Sequence, residues 1–175
     1  MISLTPLIAR LAEAPEGFAA AGAVQSAARQ GAAPRQWFRQ VAGAAEFAQV
    51  RPEALPLPAC WVIRAADSVR HAGERAEHVT LAFDVVIAIT NARSHRPGET
   101  DDLLLAYREA VKTLLLGWEA APDVRPLKFS GGRVLEYTEG DLYWADRYEY
   151  QAVITNYLPD PANPFDCIDS TGETL

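Results

Sequence analysis

His78-Val-Thr-Leu-Ala-Phe-Asp-Val-Val-Ile-Ala-Ile-Thr-Asn91 is the stretch whose reading decides the fold. Val79, Leu81, Phe83, Val85, Ile87 and Ile89 fall on every second position. A strand turns successive side chains to opposite faces, so these residues all point one way, into a core. The other face, with His78, Thr80, Ala82, Asp84, Val86, Ala88 and Thr90, is mixed and reads as partly wet. After the breaker run Asn91–Gly98 the period becomes helical. Leu104, Tyr107, Val111, Leu114, Leu115 and Trp118 recur at spacings of three and four, giving one apolar stripe. Glu99, Asp101 and Asp102 sit in the first turn and Arg108 and Lys112 come later, the order that a helix dipole favours. Thr100 reads as the N-cap, and Pro122 lies past the end. This strand–helix unit carries no chemistry of its own.

Upstream, Leu4, Leu7, Ile8 and Leu11 mark a short amphipathic helix in Met1–Ala14, with Pro6 tolerated in its first turn. Gly17–Gln30 is alanine-rich and reads as a second helix closed by Gly31. Arg35–Val41 suggests a short strand and Ala42–Val50 a helical turn or two. The prolines of Arg51–Pro58 make an extended connector into Ala59–Ala65, an apolar run typical of a strand covered on both faces. Ala66–Ala76 reads as the polar tip of a hairpin with the long strand. Downstream, Leu127–Tyr137 and Leu142–Tyr157 form a second hairpin across Thr138–Asp141, and Gly131-Gly132 marks a bulge. The expected architecture is α+β: a mostly antiparallel sheet of about five strands, with one long helix and the N-terminal helices packed on it. From Leu158 the chain has three prolines, four acids and no basic residue, the composition of a tail or an arm laid on a neighbour.

With 175 residues the chain is most simply one domain, able to bury roughly 70% of its unfolded surface. No apolar run approaches the ~20 residues that span a bilayer, so no membrane partner is expected. No basic segment followed by a hydrophobic one opens the chain, which makes the cytoplasm the expected starting compartment. Cys60 and Cys167 then read as free thiols. The formal charge is −7, and Lys112 and Lys128 are the only lysines among 16 basic residues. Gripping duplex DNA calls for the opposite balance, because affinity comes from neutralising phosphates.

A search for chemistry ends without a site. His71, His78 and His95 match no zinc spacing, so no metal is expected. Glu136, Glu139, Asp141, Asp146 and Glu149 cluster, but Asp146 and Glu149 point to opposite faces of one strand and Glu139 and Asp141 sit in its turn. That is a solvated hairpin edge. Asp146 shares the face of Trp144 and Tyr148, and a buried aspartate there calls for an arginine partner. No phosphate loop, no Gly-x-Ser-x-Gly and no cofactor signature is present. Strand edges, an extended tip and an acidic terminus are devices for touching other chains, so an assembly protein is expected rather than an enzyme.

The order of the pieces resembles the tail terminator (tail completion) proteins of long-tailed bacteriophages, including those of Mu-like phages. The pieces are the Leu4–Leu11 helix, the Gln40–Phe47 step, Leu55–Ile63, the Phe83–Asn91 strand, the Leu115-Leu-Gly-Trp118 helix end, the Gly-Gly segment Pro126–Leu135 and the aromatic strand Leu142–Tyr150. The likeness covers residues 1–157; residues 17–39 read as an insertion and 158–175 as an acidic C-terminal arm. It implies a virion protein without a cofactor. Such a protein forms a ring, typically a hexamer, on the head-proximal end of the tail tube, assembled in the host cytoplasm. There it stops polymerisation and contributes to head–tail joining, with the tail tube protein and the head–tail connector as partners. DNA would only pass through the lumen. A head–tail adaptor is one alternative, and a small-molecule-binding or enzymatic α+β domain is another. From loop position and charge, the expected subunit or tube contacts are Arg70, Arg75, Arg93, Arg96, Glu139, Asp141 and Phe165.

Overall fold

The computed structural model describes residues 3–16, 18, 37–48, 55–71, 76–90, 99–121, 124–138 and 140–155. The elements are α1 (Thr5–Ala12), β1 (Gln40–Ala42), α2 (Ala44–Phe47), β2 (Ala59–His71), β3 (Ala76–Thr90), α3 (Glu99–Leu115), β4 (Lys128–Tyr137) and β5 (Asp141–Thr155). They make an α+β fold with one five-stranded sheet in the order β1-β2-β3-β5-β4. Every pairing is antiparallel except β1 on β2, which is parallel, so the sheet is mixed.

β3 is the centre, and its alternation governs both faces. Val79, Leu81, Phe83, Val85, Ile87 and Ile89 are buried in the main core, on the side of α1 and α3. Leu7 and Leu11 come into that core from α1, and Leu104, Tyr107, Val111 and Leu115 from α3. The opposite face is drier than its composition suggests. Val86 and Ala88 bury there with Ala59, Trp61, Tyr143 and Ala145, and Phe47, Leu55 and Leu57 pack against them. Ala59–Val62 is therefore covered on both sides, as its unbroken apolar run requires.

Several boundaries differ from the sequence reading. The polar residues 66–71 are strand rather than loop. Ala66 to His71 pair with Ala82 to Glu77 across a bulge at Arg64/Ala66. The ladder supplies hydrogen bonds that such residues would otherwise take from water, so polarity here marks exposure on both faces, not a turn. Of the strand expected at 35–41, residues 37–39 are not strand and Gln40–Ala42 is, while 35–36 lie outside the described residues. Of the helical step expected at 42–50, Ala44–Phe47 is helical and 49–50 lie outside the described residues. Thr100 lies inside α3 instead of capping it, because the helix starts at Glu99. The helix ends at Leu115, before Trp118. Gly117 adopts φ 75°, a conformation that glycine takes without a Cβ clash and that stops the helix. The Arg10 guanidinium donates to the Leu114 carbonyl at 2.6 Å, satisfying an acceptor of the last turn. The reading of 17–30 as a helix lies outside the described residues apart from Phe18. That ring packs edge-on to Trp37 at 4.9 Å and beside Tyr107 at 5.3 Å.

Candidate functional site

The two acids buried among the described residues, Asp84 and Asp146, are the first places to look for reactivity. Asp146 is wholly buried on the helix-side face of β5. Arg108 of α3 donates from Nε to both carboxylate oxygens at 3.1 and 3.0 Å, and its Nη2 stands 2.9 Å from Oδ1. Trp144 Nε1 donates to Oδ1 at 2.7 Å, and the guanidinium stacks over the Trp144 ring at 4.3 Å. A carboxylate held by this many donors is a structural lock between helix and sheet. The arginine partner expected for Asp146 is present. On the opposite face Asp84 accepts from Arg147 at 2.7 and 3.0 Å and from Arg133 at 3.2 Å, tying β3, β5 and β4 together. The bond to Asp84 raises the Arg147 pKa further.

Gly132 explains the double glycine. A Cβ there would collide with the Asp146 carboxylate and stand 2.9 Å from Trp144 Nε1. The ladder shifts register between Phe129 and Gly131, so the bulge expected at Gly131-Gly132 is present. Burial pushes the Cys60 thiol well above the usual range, which keeps it protonated and inert. His78 is exposed on β3 opposite Arg70. No group of three or more His, Cys, Asp or Glu able to hold a metal occurs among the described residues.

Of the expected contact residues, the structure describes Arg70 and Asp141. Arg70 is exposed near the end of β2, beside an open depression lined by Ser68, Val69, His78, Val79, Thr80 and Gln151. Asp141 is half-buried at the start of β5. Its backbone N–H donates to Thr138 Oγ1 at 2.9 Å and its carbonyl accepts from the Thr138 N–H at 2.8 Å, closing the hairpin turn. The two are not brought together. Arg70 aligns with His78 and so with Val153, twelve residues along β5 from Asp141, or roughly 40 Å. Arg75, Arg93, Arg96, Glu139 and Phe165 lie outside the described residues.

A surface that sequence reasoning missed is the outer edge of β4. Val134 is 51% exposed, Tyr137 60% and Leu135 40%, on the last strand of the sheet. In sequence Arg133-Val-Leu-Glu-Tyr137 reads like any half-apolar strand, and only its place at the end of the strand order turns these side chains out. A model of the phage tail terminator protein family matches residues 20–158. The chain belongs to that family. The matched stretch contains the whole sheet, α2 and α3, and leaves α1 outside. No curated protein matches the chain. Family membership makes this a structural protein of the phage tail, in the virion, acting through contacts with other tail components. No helix among the described residues is long and apolar enough to cross a membrane. For such a protein the exposed apolar residues matter more than any pocket, and the β4 edge and the β2–β3 tip carry six of the eight large ones exposed among the described residues. Val69, Val153 and Ile154 are exposed at that tip.

Proposed function

We propose that copies of this chain close into a ring, six in the form usual for the family. The ring sits on the head-proximal end of the tail tube, stops its polymerisation and presents a surface to the head's connector. The observation that carries this reading is the family match across the whole sheet. A sheet whose outermost strand exposes apolar residues supports it, because a head-to-tail contact between unlike surfaces closes into a ring when the rotation is right. Within the ring, residues 1–157 form the body, with 17–39 as an insertion, and 158–175 an arm laid on a neighbour. Arg70 and Asp141 mark opposite ends of the sheet and so suit contacts to different neighbours. Arg75, Arg93, Arg96, Glu139 and Phe165 are further contact residues in this reading. DNA only passes through the lumen, and the net charge of −7 suits a wall along which it slides without sticking. The protein acts by shape and carries out no reaction.

Tail tube protein polymerised with and without this chain tests the proposal. Tubes with one blunt, ring-capped end in negative stain, no longer growing, are the expected result. Continued growth together with co-purification on the portal or adaptor would instead favour a head–tail joining protein.

A further inference from the structure

The outer edge of β4 points to one occupant. We propose that it receives the Phe165–Ser170 stretch of a neighbouring copy's C-terminal arm as a short added strand. This rests on the ring reading and names the surface that the arm uses.

The first argument is the edge itself. Among the described residues β4 is the terminal strand of the sheet, and the outward backbone groups of Gly131–Val134 invite another strand. Register shifts at Phe129/Gly131 and Val134/Glu136 bracket Gly131–Val134, so only a short partner fits in regular register. In the arm, Pro159, Pro161 and Pro164 lack the N–H that a ladder needs, while Phe165-Asp-Cys-Ile-Asp-Ser170 has no proline.

The second argument is side-chain parity and charge. Val134 aligns with Trp144, on the helix-side face, and Arg133 with Ala145, on the other. Phe165 and Asp166 likewise point to opposite faces of an extended segment. Phe165 set against Val134 therefore brings Asp166 to the side of Arg133. That side presents a cation, because the Arg133 side chain is 55% exposed and, among the described residues, meets Asp84 at 3.2 Å where Arg147 binds the same carboxylate more closely. The arm carries four acids and no base.

Reach decides between the arm's own edge and a neighbour's. β5 ends at Thr155, eleven residues past Trp144, so the level of Val134 lies roughly 36 Å back along the sheet. Ten residues separate Thr155 from Phe165 and span at most about 36 Å fully extended. The reversal and the sideways step across β4 use part of that length. An arm folding back on its own sheet leaves Phe165 short of Val134, and a neighbour's arm has no such limit.

The test uses the full chain with Cys167→Ser, leaving Cys60 buried and unreactive. Val134→Cys and Phe165→Cys together, mildly oxidised, should give a ladder of covalent multimers on a non-reducing denaturing gel. A ring that persists in light scattering without inter-copy bands, or with only an intrachain disulfide, overturns the docking. A wild-type chain that is monomeric at every concentration overturns the ring reading as well. A charge swap gives an independent readout: Arg133→Glu or Asp166→Arg alone should weaken association roughly tenfold, and the two together should restore it. Failure of the pair to recover overturns the Arg133–Asp166 contact and with it the register proposed here.

Discussion

Asp146 shows how a single residue was half legible. Its parity along β5 put it on the face of Trp144 and Tyr148, and burial on that face demanded a cation. Which cation could not be read, since Arg108 lies 38 residues away on α3 and meets Asp146 only once the helix docks. Removing the acid leaves a largely buried guanidinium unpaired, so Asp146→Ala should cost about 3–5 kcal/mol, read from the urea unfolding midpoint. Gly132 was legible as a bulge but not as the space that the Asp146 carboxylate fills. Tyr148 behaves in the opposite sense. Its hydroxyl is buried without a hydrogen-bond partner among the described residues, so Tyr148→Phe should leave stability unchanged or raise it by up to about 1 kcal/mol. Burial foremost, with nearby Asp146, raises this phenol above its ordinary 10.0, and burial raises Tyr143 and Tyr150 too. Above pH 10 the folded chain therefore holds protons that the unfolded chain has released. Stability should be flat with respect to these groups below that pH and fall as pH rises from there towards the raised folded values. Chemical denaturation across that window checks it, and Tyr148→Phe should lessen the slope.

Among the elements, β3 and the apolar stripe of α3 were readable because their periodicity and their burial share one cause. A strand packed against helices on one face must alternate, and a helix lying on a sheet must repeat at three and four. The tip of β2 was not readable. Residues 66–71 have no apolar period because the side chains of 66–70 are exposed, and what makes the stretch strand is its pairing with β3, a long-range fact. The bounds of α3 slipped for a related reason: the apolar stripe continues to Trp118, while Gly117 ends the helix first. This gives an element-scale prediction. Amides of 67–70 and 77–78, whose side chains meet water, should exchange with deuterium at least tenfold faster than those of 85–89, which lie between two cores. Equal protection along the whole length of β3 would mean that the tip is covered by a partner even in the isolated chain.

For the whole molecule, the sequence supported an assembly protein by what it lacked and a tail terminator by the order of its pieces. The family match supplies the tail role, and the structure adds the surfaces. The contact residues chosen from loops and charge gave only Arg70 and Asp141 a described place, at opposite ends of the sheet. The β4 edge was passed over because exposed apolar residues on an outer strand look in sequence like a buried strand. A chain that works through such surfaces should not stay single. The most direct measurement is the mass of the purified full chain by light scattering across a range of concentrations. Ring closure predicts one species several times the 19.1 kDa chain mass, six-fold in the proposed form, unchanged on dilution. A mass that stays at 19.1 kDa up to high concentration would contradict it.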